Sequence, residues 1–258
     1  MEQRFTFDQV ARDYGAARPG YPDALVDDVI AYAGLDPSDA VLEVGCGSGQ
    51  ATKSFATRGF RMLALDPGEG LIRAAQESLA AFPQVEFVVS TFEGWSATSA
   101  VFRLLIAAQS WHWVPADVQF TKAAEALTAD GTLAVFGHVP VGLPAPLLED
   151  FKRIYLDRAG VWGPPPEAWY LPAGPFQSAF EASALFGPVT HKAYPWTWHH
   201  TTASYDSFLK TRSDLQTLSP TARQAVLDDI ARAVDTYGGA FDMNYETHLY
   251  IARRHAAA

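Results

Sequence analysis

Helix-like and strand-like hydrophobic patterns alternate between residues 22 and 138. Apolar residues from Leu25 to Ala33 recur at helical spacing, and Gly34 is expected to end this helix. Short continuous apolar runs rich in β-branched residues are typical of strands that are buried on both faces. The predicted strands are 40–44, 60–65, 85–89, 102–107 and 132–137, and further helices are predicted near 49, over 69–81 and over 115–128.

The order of these elements predicts the fold class. Each crossover between successive strands is long enough for a right-handed βαβ unit. The stretch 188–258 predicts a strand that Pro195 places at an edge or breaks, a helix opened by Ser219 and Pro220, and a last strand over 243–251. We therefore expect an α/β fold, with a doubly wound, mostly parallel, Rossmann-like sheet and an antiparallel last strand.

The segment 139–187 differs in composition from the rest of the chain. Nine of the seventeen prolines lie between Val139 and Pro188. The large aromatic residues of this segment are Trp162, Trp169, Tyr170, Phe176, Phe180 and Phe186. Two interpretations stay open: an irregular surface insertion with its own aromatic cluster, or a lid that covers a substrate. The predicted domain boundaries are 1–138 for a core, 139–187 for a cap insertion and 188–258 for the completion of the sheet.

Composition narrows the possible partners and the compartment. The 258 residues are 48% hydrophobic and carry a formal net charge of -10, which disfavours duplex nucleic acid and anionic membranes and favours a small, neutral or cationic partner. Cys46 is the only cysteine, which excludes an intrachain disulfide and a CxxC redox pair. Neither a secretory leader nor an apolar run of roughly 20 residues is recognisable. We expect a cytoplasmic protein without a membrane partner, and its oligomeric state stays open.

A glycine-rich turn follows the first predicted strand. Gly45, Gly47 and Gly49 stand at alternate positions of an E-x-G-x-G-x-G pattern that begins at Glu43. A dinucleotide fingerprint would place its third glycine at position 50, which is Gln50, so the spacing disagrees with a nicotinamide or flavin site. Such glycines let the backbone turn tightly and approach a ligand closely at a helix N-terminus.

Asp66 ends the next predicted strand, 21 positions after Gly45. A carboxylate at this place can accept hydrogen bonds from both hydroxyls of a ribose. The sequence has neither a GxxxxGK[ST] phosphate loop nor phosphate-adapted glycine spacing, so the turn favours a nucleoside without phosphates. S-adenosylmethionine is such a nucleoside, and its positive charge suits acidic surroundings.

The segments VLEVGCGSGQAT (41–52) and LALDPG (63–68) resemble motifs one and two of the class I S-adenosylmethionine-dependent methyltransferases. The N-terminal segment 7–22 and AQSWHW (108–113) resemble the small-molecule subgroup of methyltransferase type 11, which includes trans-aconitate methyltransferase-like proteins. The resemblance covers roughly residues 5–138. It implies the Rossmann-like methyltransferase fold, S-adenosyl-L-methionine as the cofactor and S-adenosyl-L-homocysteine as its product.

The resemblance also implies which residues bind the cofactor. They are Tyr14, Arg18, Glu43, Gly45, Gly47, Gly49, Asp66, Pro67, Thr91, Phe92, Glu93 and Gln109. The three glycines would line the methionyl part, Glu43 would fix the turn and Asp66 would hold the ribose. Residues 91–93 would contact the adenine, and Gln109 would lie near the cofactor's ammonium group. The N-terminal pair would close over the cofactor, although a surface salt bridge is the alternative for Arg18.

His112 is the candidate catalytic base, because a neutral imidazole can accept a proton near pH 7. The alternative is a histidine that only shapes the substrate pocket, which Trp111, Trp113 and His138 are also predicted to line. Cys46 is interpreted as a small residue packed behind the cofactor turn. No metal site is expected.

These observations predict an enzyme that transfers the methyl group of S-adenosylmethionine to an oxygen, or less favourably a nitrogen, of a small organic molecule. A carboxylate acceptor is already ionised at pH 7 and would need only a positive orienting group, whereas a phenol with a pKa of about 10 would need a base such as His112. The sequence does not choose between them. Methylation of tRNA or of a protein, and a non-catalytic cofactor-binding module, are the alternatives.

Overall fold

A seven-stranded sheet forms the centre of the computed structural model, which describes residues 15, 17–96, 101–163 and 166–255. The strands are β1 (Ala40–Val44), β2 (Arg61–Asp66), β3 (Val85–Val89), β4 (Phe102–Ala108), β5 (Leu127–Gly142), β6 (Thr190–Thr201) and β7 (Ala240–Arg253). The helices are α1 (Asp23–Ala33), α2 (Gln50–Ala56), α3 (Glu69–Ser78), α4 (Ala116–Ala126), α5 (Ala145–Ala159), α6 (Pro175–Ala182), α7 (Thr202–Lys210), α8 (Ser213–Gln216) and α9 (Pro220–Tyr237). Short 3₁₀ turns lie at Trp111–Trp113 and Pro166–Tyr170.

The strand order is β3-β2-β1-β4-β5-β7-β6. The first five strands pair in parallel, and β7 pairs antiparallel with both β5 and β6. The predicted α/β class, with a mostly parallel doubly wound sheet and an antiparallel last strand, is confirmed. Because the strand order reverses between β1 and β4, their carboxyl ends leave a crevice of the kind in which such sheets bind ligands.

The core lies on both faces of the sheet. Val41 packs with α1 and α2 on one face, while its neighbour Leu42 joins the cluster of α4 and α6 on the other. Both side chains are completely buried. Strands covered on both faces need apolar residues at successive positions, which is why their sequences read as continuous apolar runs.

Several predicted boundaries agree with the structure. The strands β1 and β3 have the predicted limits, and Gly34 ends α1 with a φ of 62°. The hydroxyl of Ser219 accepts a hydrogen bond from the backbone N–H of Ala222 and so caps α9. The end of β5 was predicted wrongly, because this strand runs to Gly142 rather than stopping near 137. Its pairing with β7 continues to Asn244, and long-range pairing of this kind has no signal in the local sequence.

The expectation of a break at Pro195 is wrong, while the edge position is confirmed. The strand β6 is continuous through Pro195 and lies at the end of the sheet, with β7 as its neighbour. A proline can take this place because an edge strand need not donate every backbone hydrogen bond.

The cap contains regular secondary structure, namely the helices α5 and α6, and is not an irregular insertion. Leu147, Phe151 and Ile154 of α5 share one buried cluster with α7, α9 and the start of β7. The aromatic residues further along, Tyr170, Phe176, Phe180 and Phe186, pack into the main core instead of forming a cluster of their own. The prolines lie mainly outside α5 or in its first turn, where a missing N–H has little cost. The predicted division at 139 and 188 stays a prediction.

Candidate functional site

A cavity of about 1220 Å³, which includes open space at its mouth, lies at the carboxyl ends of the parallel strands. Two groups of residues line it. The first, which we call the strand-end half, comprises Glu43, Gly45, Cys46, Gly47, Asp66, Pro67, Ser90, Thr91, Phe92, Glu93 and Gln109. The second, which we call the aromatic half, comprises Arg18, Tyr21, His138, Glu167, Trp198, Phe208, Arg212 and Tyr245.

The turn after β1 needs glycine for two different reasons. Gly45 and Gly47 have φ angles of 71° and 56°, a region that side chains rarely adopt. A Cβ on Gly45 would also lie 2.4 Å from the Cβ of Ser110. The hydroxyl of Ser110 donates to the carbonyl of Val44, so this contact holds the turn against the end of β4. Backbone peptide groups therefore form the floor of the strand-end half.

Asp66 is fixed by the backbone around it. Its Oδ2 accepts from the N–H of Gly47 at 2.9 Å, and its Oδ1 accepts from the N–H of Gly68 at 2.8 Å. The residue is 7% exposed and lines the cavity. Each carboxylate oxygen can accept more than one hydrogen bond, so the held carboxylate can still receive two hydroxyl groups of a ligand.

Glu43 lies beneath the turn and is 1% exposed. Burial raises the pKa of Glu43 to about 7, and the nearby charge of Asp66 adds to the rise, while the hydrogen bond from the Thr52 hydroxyl at 2.7 Å opposes it. Burial also raises the pKa of the Cys46 thiol well above its usual value. A thiol in this state is a poor nucleophile, which agrees with a packing role for Cys46.

Residues 91–93 form a side wall of the strand-end half. Phe92 is 3% exposed and packs into the main core, while the side chain of Thr91 accepts from the backbone of Gly94 at 3.1 Å. The ammonium group of Lys122 donates to the carbonyl of Glu93 at 2.7 Å and lies 5.7 Å from the centre of the Phe92 ring. The wall is therefore positioned by α4 as well as by β3.

Gln109 has a backbone conformation that is uncommon for a residue with a side chain. Its φ is 58°, and its N–H donates to the carbonyl of Phe136 at 2.9 Å. Its buried Oε1 has no hydrogen-bond partner within the part of the chain that the structure describes. A Cβ on Gly137 would lie 2.1 Å from this oxygen, so the glycine makes room for it. Such outliers concentrate at functional sites, and Gln109 lines the cavity as predicted.

Arg18 lies in the aromatic half. Its guanidinium donates to the hydroxyl and to the carbonyl of Thr211, both at 3.0 Å, and its Cζ lies 5.0 Å from the centre of the Phe208 ring. These contacts connect the N-terminal segment to the end of α7. Arg18 lines the cavity on the side of the aromatic wall, and its predicted contact with the cofactor stays a prediction.

Arg212 is held between two carboxylates. Its Nε and Nη2 lie 3.0 Å and 3.1 Å from the two oxygens of Asp214, and its Nη1 lies 3.2 Å from Oε1 of Glu167. The Arg212 side chain is 12% exposed. Burial disfavours its charge, but Glu167 and Asp214 hold the pKa of Arg212 well above its ordinary value. Glu167 belongs to the cap, so this ion pair ties the cap to the segment between α7 and α8.

His138 takes part in a chain of hydrogen bonds. The indole N–H of Trp196 donates to the hydroxyl of Thr247 at 2.9 Å. The same hydroxyl lies within hydrogen-bond distance of Nδ1 of His138, at 2.7 Å. Burial lowers the pKa of His138 to about 3, and the charge of Arg18 adds to this effect. His138 lines the cavity as predicted, as a neutral ring stacked on Tyr21 at 4.5 Å.

Two of the predicted pocket residues lie outside the cavity lining. Trp111 is completely buried and packs against Phe92 and Phe120, with ring centres 6.1 Å away in both cases. His112 packs against the cap, with Nδ1 3.5 Å from the hydroxyl of Tyr170. Burial lowers the pKa of His112 to about 4, which leaves it neutral but a weak base. Within the turn Trp111–Trp113, the residue that lines the cavity is Trp113.

Two further predicted residues are placed differently or not described. Gly49 does not line the cavity: a Cβ there would lie 2.8 Å from Cδ1 of Leu79, so this glycine lets α2 pack closely on the end of α3. Tyr14 lies outside the described residues. The remaining predicted cofactor residues come together in the strand-end half, with the exception of Arg18 noted above.

Most residues of the aromatic half were not predicted from the sequence. Trp198 and Tyr245 come from the paired strands β6 and β7, and Glu167, Phe208 and Arg212 come from the cap and from the chain around α7. The alternation of aromatic residues at 196 and 198 is a visible signal for one apolar strand face. The register that brings this face against Tyr245 is not visible in the sequence.

The described residues contain no group of three or more His, Cys, Asp or Glu residues that could hold a metal ion. None of the helices in the same part of the chain combines the length and the apolar character needed to cross a membrane.

Residues 41–131 match the family model of a methyltransferase domain. A proposed methyltransferase of Dictyostelium discoideum is 26% identical over 132 residues, which are 51% of this chain and 48% of that protein. A solved structure of a proposed type II methyltransferase from Anaeromyxobacter dehalogenans is similar with a TM-score of 0.63 and 23% identity, over 92% of this chain and 97% of the other. This similarity concerns the fold.

A second solved structure is phosphoethanolamine N-methyltransferase 2 of Haemonchus contortus, in complex with phosphomonomethylethanolamine and S-adenosylhomocysteine. It is similar with a TM-score of 0.56 and 13% identity, over 96% of this chain and 57% of the other. The chain spans about half the length of the curated relatives it matches.

Proposed function

Since the chain carries a methyltransferase domain at residues 41–131 on a class I methyltransferase fold, we propose that it is an S-adenosylmethionine-dependent methyltransferase. The methyl group goes to an oxygen, or less favourably a nitrogen, of a small organic molecule. The observation that carries this proposal is one cavity with two differently built halves, a backbone turn with fixed carboxylates and an aromatic chamber. We place the reaction in the cytoplasm.

The strand-end half fits the cofactor on geometric grounds. A Cβ at Gly45 would fill the turn, and the held carboxylate of Asp66 suits a pair of ribose hydroxyls. The buried Oε1 of Gln109 has no hydrogen-bond partner among the described residues, and the ammonium group of a methionyl moiety would supply a donor for it. Asp66 provides a carboxylate at this end of the cavity for a cation. When bound, S-adenosylmethionine supplies an electrophilic methyl group on its sulfonium sulfur.

The protein contributes mainly alignment and exclusion of water. Tyr21, Trp198 and Phe208 offer apolar and aromatic surface beside the strand-end half, and a methyl acceptor enclosed there loses its freedom to rotate and to exchange with water. The low pKa values of His112 and His138 make both rings poor proton acceptors. Neither histidine is therefore assigned the role of a general base.

Calorimetry with S-adenosylhomocysteine tests the core of the proposal. We expect binding to the unmodified protein and a loss of about 10- to 100-fold in affinity for Asp66→Ala, because hydrogen bonds to a charged group contribute roughly 1.5–3 kcal/mol. Asp157→Ala, at an exposed position of α5, is the control and should bind normally. The proposal fails if the unmodified protein does not bind, or if Asp66→Ala binds as tightly as the control.

Two alternatives remain to be compared with this proposal: a non-catalytic cofactor-binding module, and methylation of a macromolecule such as tRNA. A non-catalytic module that kept only the fold would not need an open chamber beside the cofactor turn, whereas this chain has one. Methylation of RNA would give an affinity that falls steeply with salt, because phosphate contacts release counterions. A small-molecule reaction should be nearly indifferent to salt, and measuring the rate between 50 and 500 mM salt separates the two.

A further inference from the structure

Three buried polar atoms of the aromatic half make no hydrogen bond within the described ranges. They are Oε2 of Glu167, the hydroxyl of Tyr245 and Nε2 of His138. All three residues line the cavity, and Tyr245 is 4% exposed. Buried polar atoms are nearly always paired in folded proteins, so unpaired atoms of residues around one cavity indicate where a polar group of a ligand binds. The carboxylate of Glu167 and the hydroxyl of Tyr245 carry the argument below.

The charges around these atoms decide which polar group fits. Asp214 and Oε1 of Glu167 together occupy Nε, Nη1 and Nη2 of Arg212, and Arg18 donates to Thr211. Two arginines and two carboxylates balance in charge. Both arginines already donate to protein oxygens, whereas the atom that lacks a partner is a carboxylate oxygen, which requires a donor.

The walls of this half suit an apolar body. The Trp196 ring stacks on Tyr245 with centres 4.7 Å apart, and Trp198 lies against Phe208 at 5.4 Å. Of these residues, Trp198, Phe208 and Tyr245 line the cavity together with Tyr21. Burial raises the pKa of Tyr245, so its hydroxyl keeps its proton and can both donate and accept.

We propose that the methyl acceptor is a neutral molecule with an apolar, ring-sized body and a hydroxyl group that donates to Oε2 of Glu167 and accepts from the hydroxyl of Tyr245. This inference rests on the proposed function and specifies its substrate class. A free carboxylate would bring another negative charge to the unpaired oxygen of Glu167, which requires a donor. The two residues act in recognition and specificity.

Three ring compounds that differ in one polar group test the preference for a neutral hydroxyl. Benzyl alcohol, benzoate and benzylammonium are titrated by NMR into protein saturated with S-adenosylhomocysteine at pH 7. We expect benzyl alcohol to bind at least about fivefold more tightly than benzoate, since one neutral hydrogen bond is worth up to about tenfold and the like charge of benzoate opposes its binding.

Variants connect the preference to the two atoms. Glu167→Gln should weaken benzyl alcohol about tenfold, because a neutral amide replaces the charged acceptor of the hydroxyl, and Tyr245→Phe about threefold, because it removes the donor to the hydroxyl. Asp214→Asn is the matched control: it removes an equal charge beside Arg212, but both of its oxygens face that arginine. It should change the affinity for benzyl alcohol less than twofold.

Several outcomes would overturn the inference while S-adenosylhomocysteine still binds and the proposed function stands. They are benzoate binding as tightly as benzyl alcohol, benzylammonium binding most tightly, no binding of benzyl alcohol, or an equal loss in Glu167→Gln and Asp214→Asn. Failure of S-adenosylhomocysteine itself to bind would be seen first, in the same sample, and would count against the proposed function.

Discussion

The two halves of the cavity are built by different means. The strand-end half is built mainly from backbone groups. They are a turn of residues with positive φ angles, two backbone N–H groups that donate to the Asp66 carboxylate, and peptide groups at the ends of adjacent strands. In the aromatic half, side chains from the cap, α7, β6 and β7 meet across long distances in the sequence. The first half can therefore be encoded by a short motif, while the second depends on the completed fold.

This difference predicts where single substitutions are most damaging to stability. Arg212→Met should lower the free energy of unfolding by about 3–5 kcal/mol, because removing one partner of a buried ion pair leaves the other charges uncompensated. Arg153→Met is the control, since Arg153 pairs with Asp150 in an exposed i,i+3 contact and should change nothing measurable. Urea unfolding measures both. Equal effects would show that the aromatic half does not depend on its buried ions.

Gly45→Ala tests the backbone construction of the other half. A positive φ costs an L-residue about 1–2 kcal/mol, and overpacking against Ser110 adds about 1–3 kcal/mol. Gly160→Ala is matched in conformation, with φ 69° against 71°, but a Cβ there meets nothing within 4 Å. Thermal unfolding should therefore show a clearly larger loss for Gly45→Ala. Identical losses would mean that the close approach of β1 and β4 is not important for stability.

The same contrast explains how much the sequence could predict. The limits of β1 and β3 were predicted correctly because they depend on local patterns, and Asp66 ends β2 as the pattern indicated. The resemblance to methyltransferases is confirmed at the level of domain and fold, while the cofactor roles of the glycine turn and Asp66 stay predictions. The helix Ala145–Ala159 of the cap was not predicted, because the prolines of the segment outweighed the helical spacing of Leu147, Phe151 and Ile154. The limits of β5 and the register between β6 and β7 depend on long-range strand pairing, which the local sequence does not show.

The 3₁₀ turn after β4 shows, within three residues, what the sequence could not predict about the site. Trp111, His112 and Trp113 are adjacent in sequence, yet one is completely buried, one packs against the cap and one lines the cavity. Their proximity to the end of a parallel strand indicated a position near a ligand site, and Trp113 does line the cavity. It could not indicate which of the three side chains faces that site, because the cap that covers His112 comes from residues far along the chain.

Glu43→Gln tests the electrostatics of the strand-end half without changing its shape. Burial raises the pKa of Glu43 to about 7, so the folded state retains a proton between about pH 4.5 and 7 that the unfolded state has released. Stability from this group is therefore present at low pH and lost as pH rises through 7. Melting temperatures of the variant and the unmodified protein are compared without cofactor at pH 5 and at pH 8. The variant should gain stability relative to the unmodified protein between these pH values, by the equivalent of about 2 kcal/mol. A difference that is constant with pH would contradict the raised pKa.

The smallest expected effect is a change in the affinity for S-adenosylhomocysteine, and it tests whether only the strand-end half binds the cofactor. Phe92→Leu and Trp198→Leu each replace one aromatic residue of the cavity lining, one in each half. Phe92→Leu should weaken S-adenosylhomocysteine about fivefold, because stacking of an aromatic ring on a base is worth roughly 1–3 kcal/mol and leucine keeps only part of that contact. Trp198→Leu should leave the affinity within about twofold, since its ring belongs to the acceptor side. If Trp198→Leu weakened the cofactor as much as Phe92→Leu, the cavity would be one continuous cofactor site, and the division on which the acceptor hypothesis depends would have to be given up.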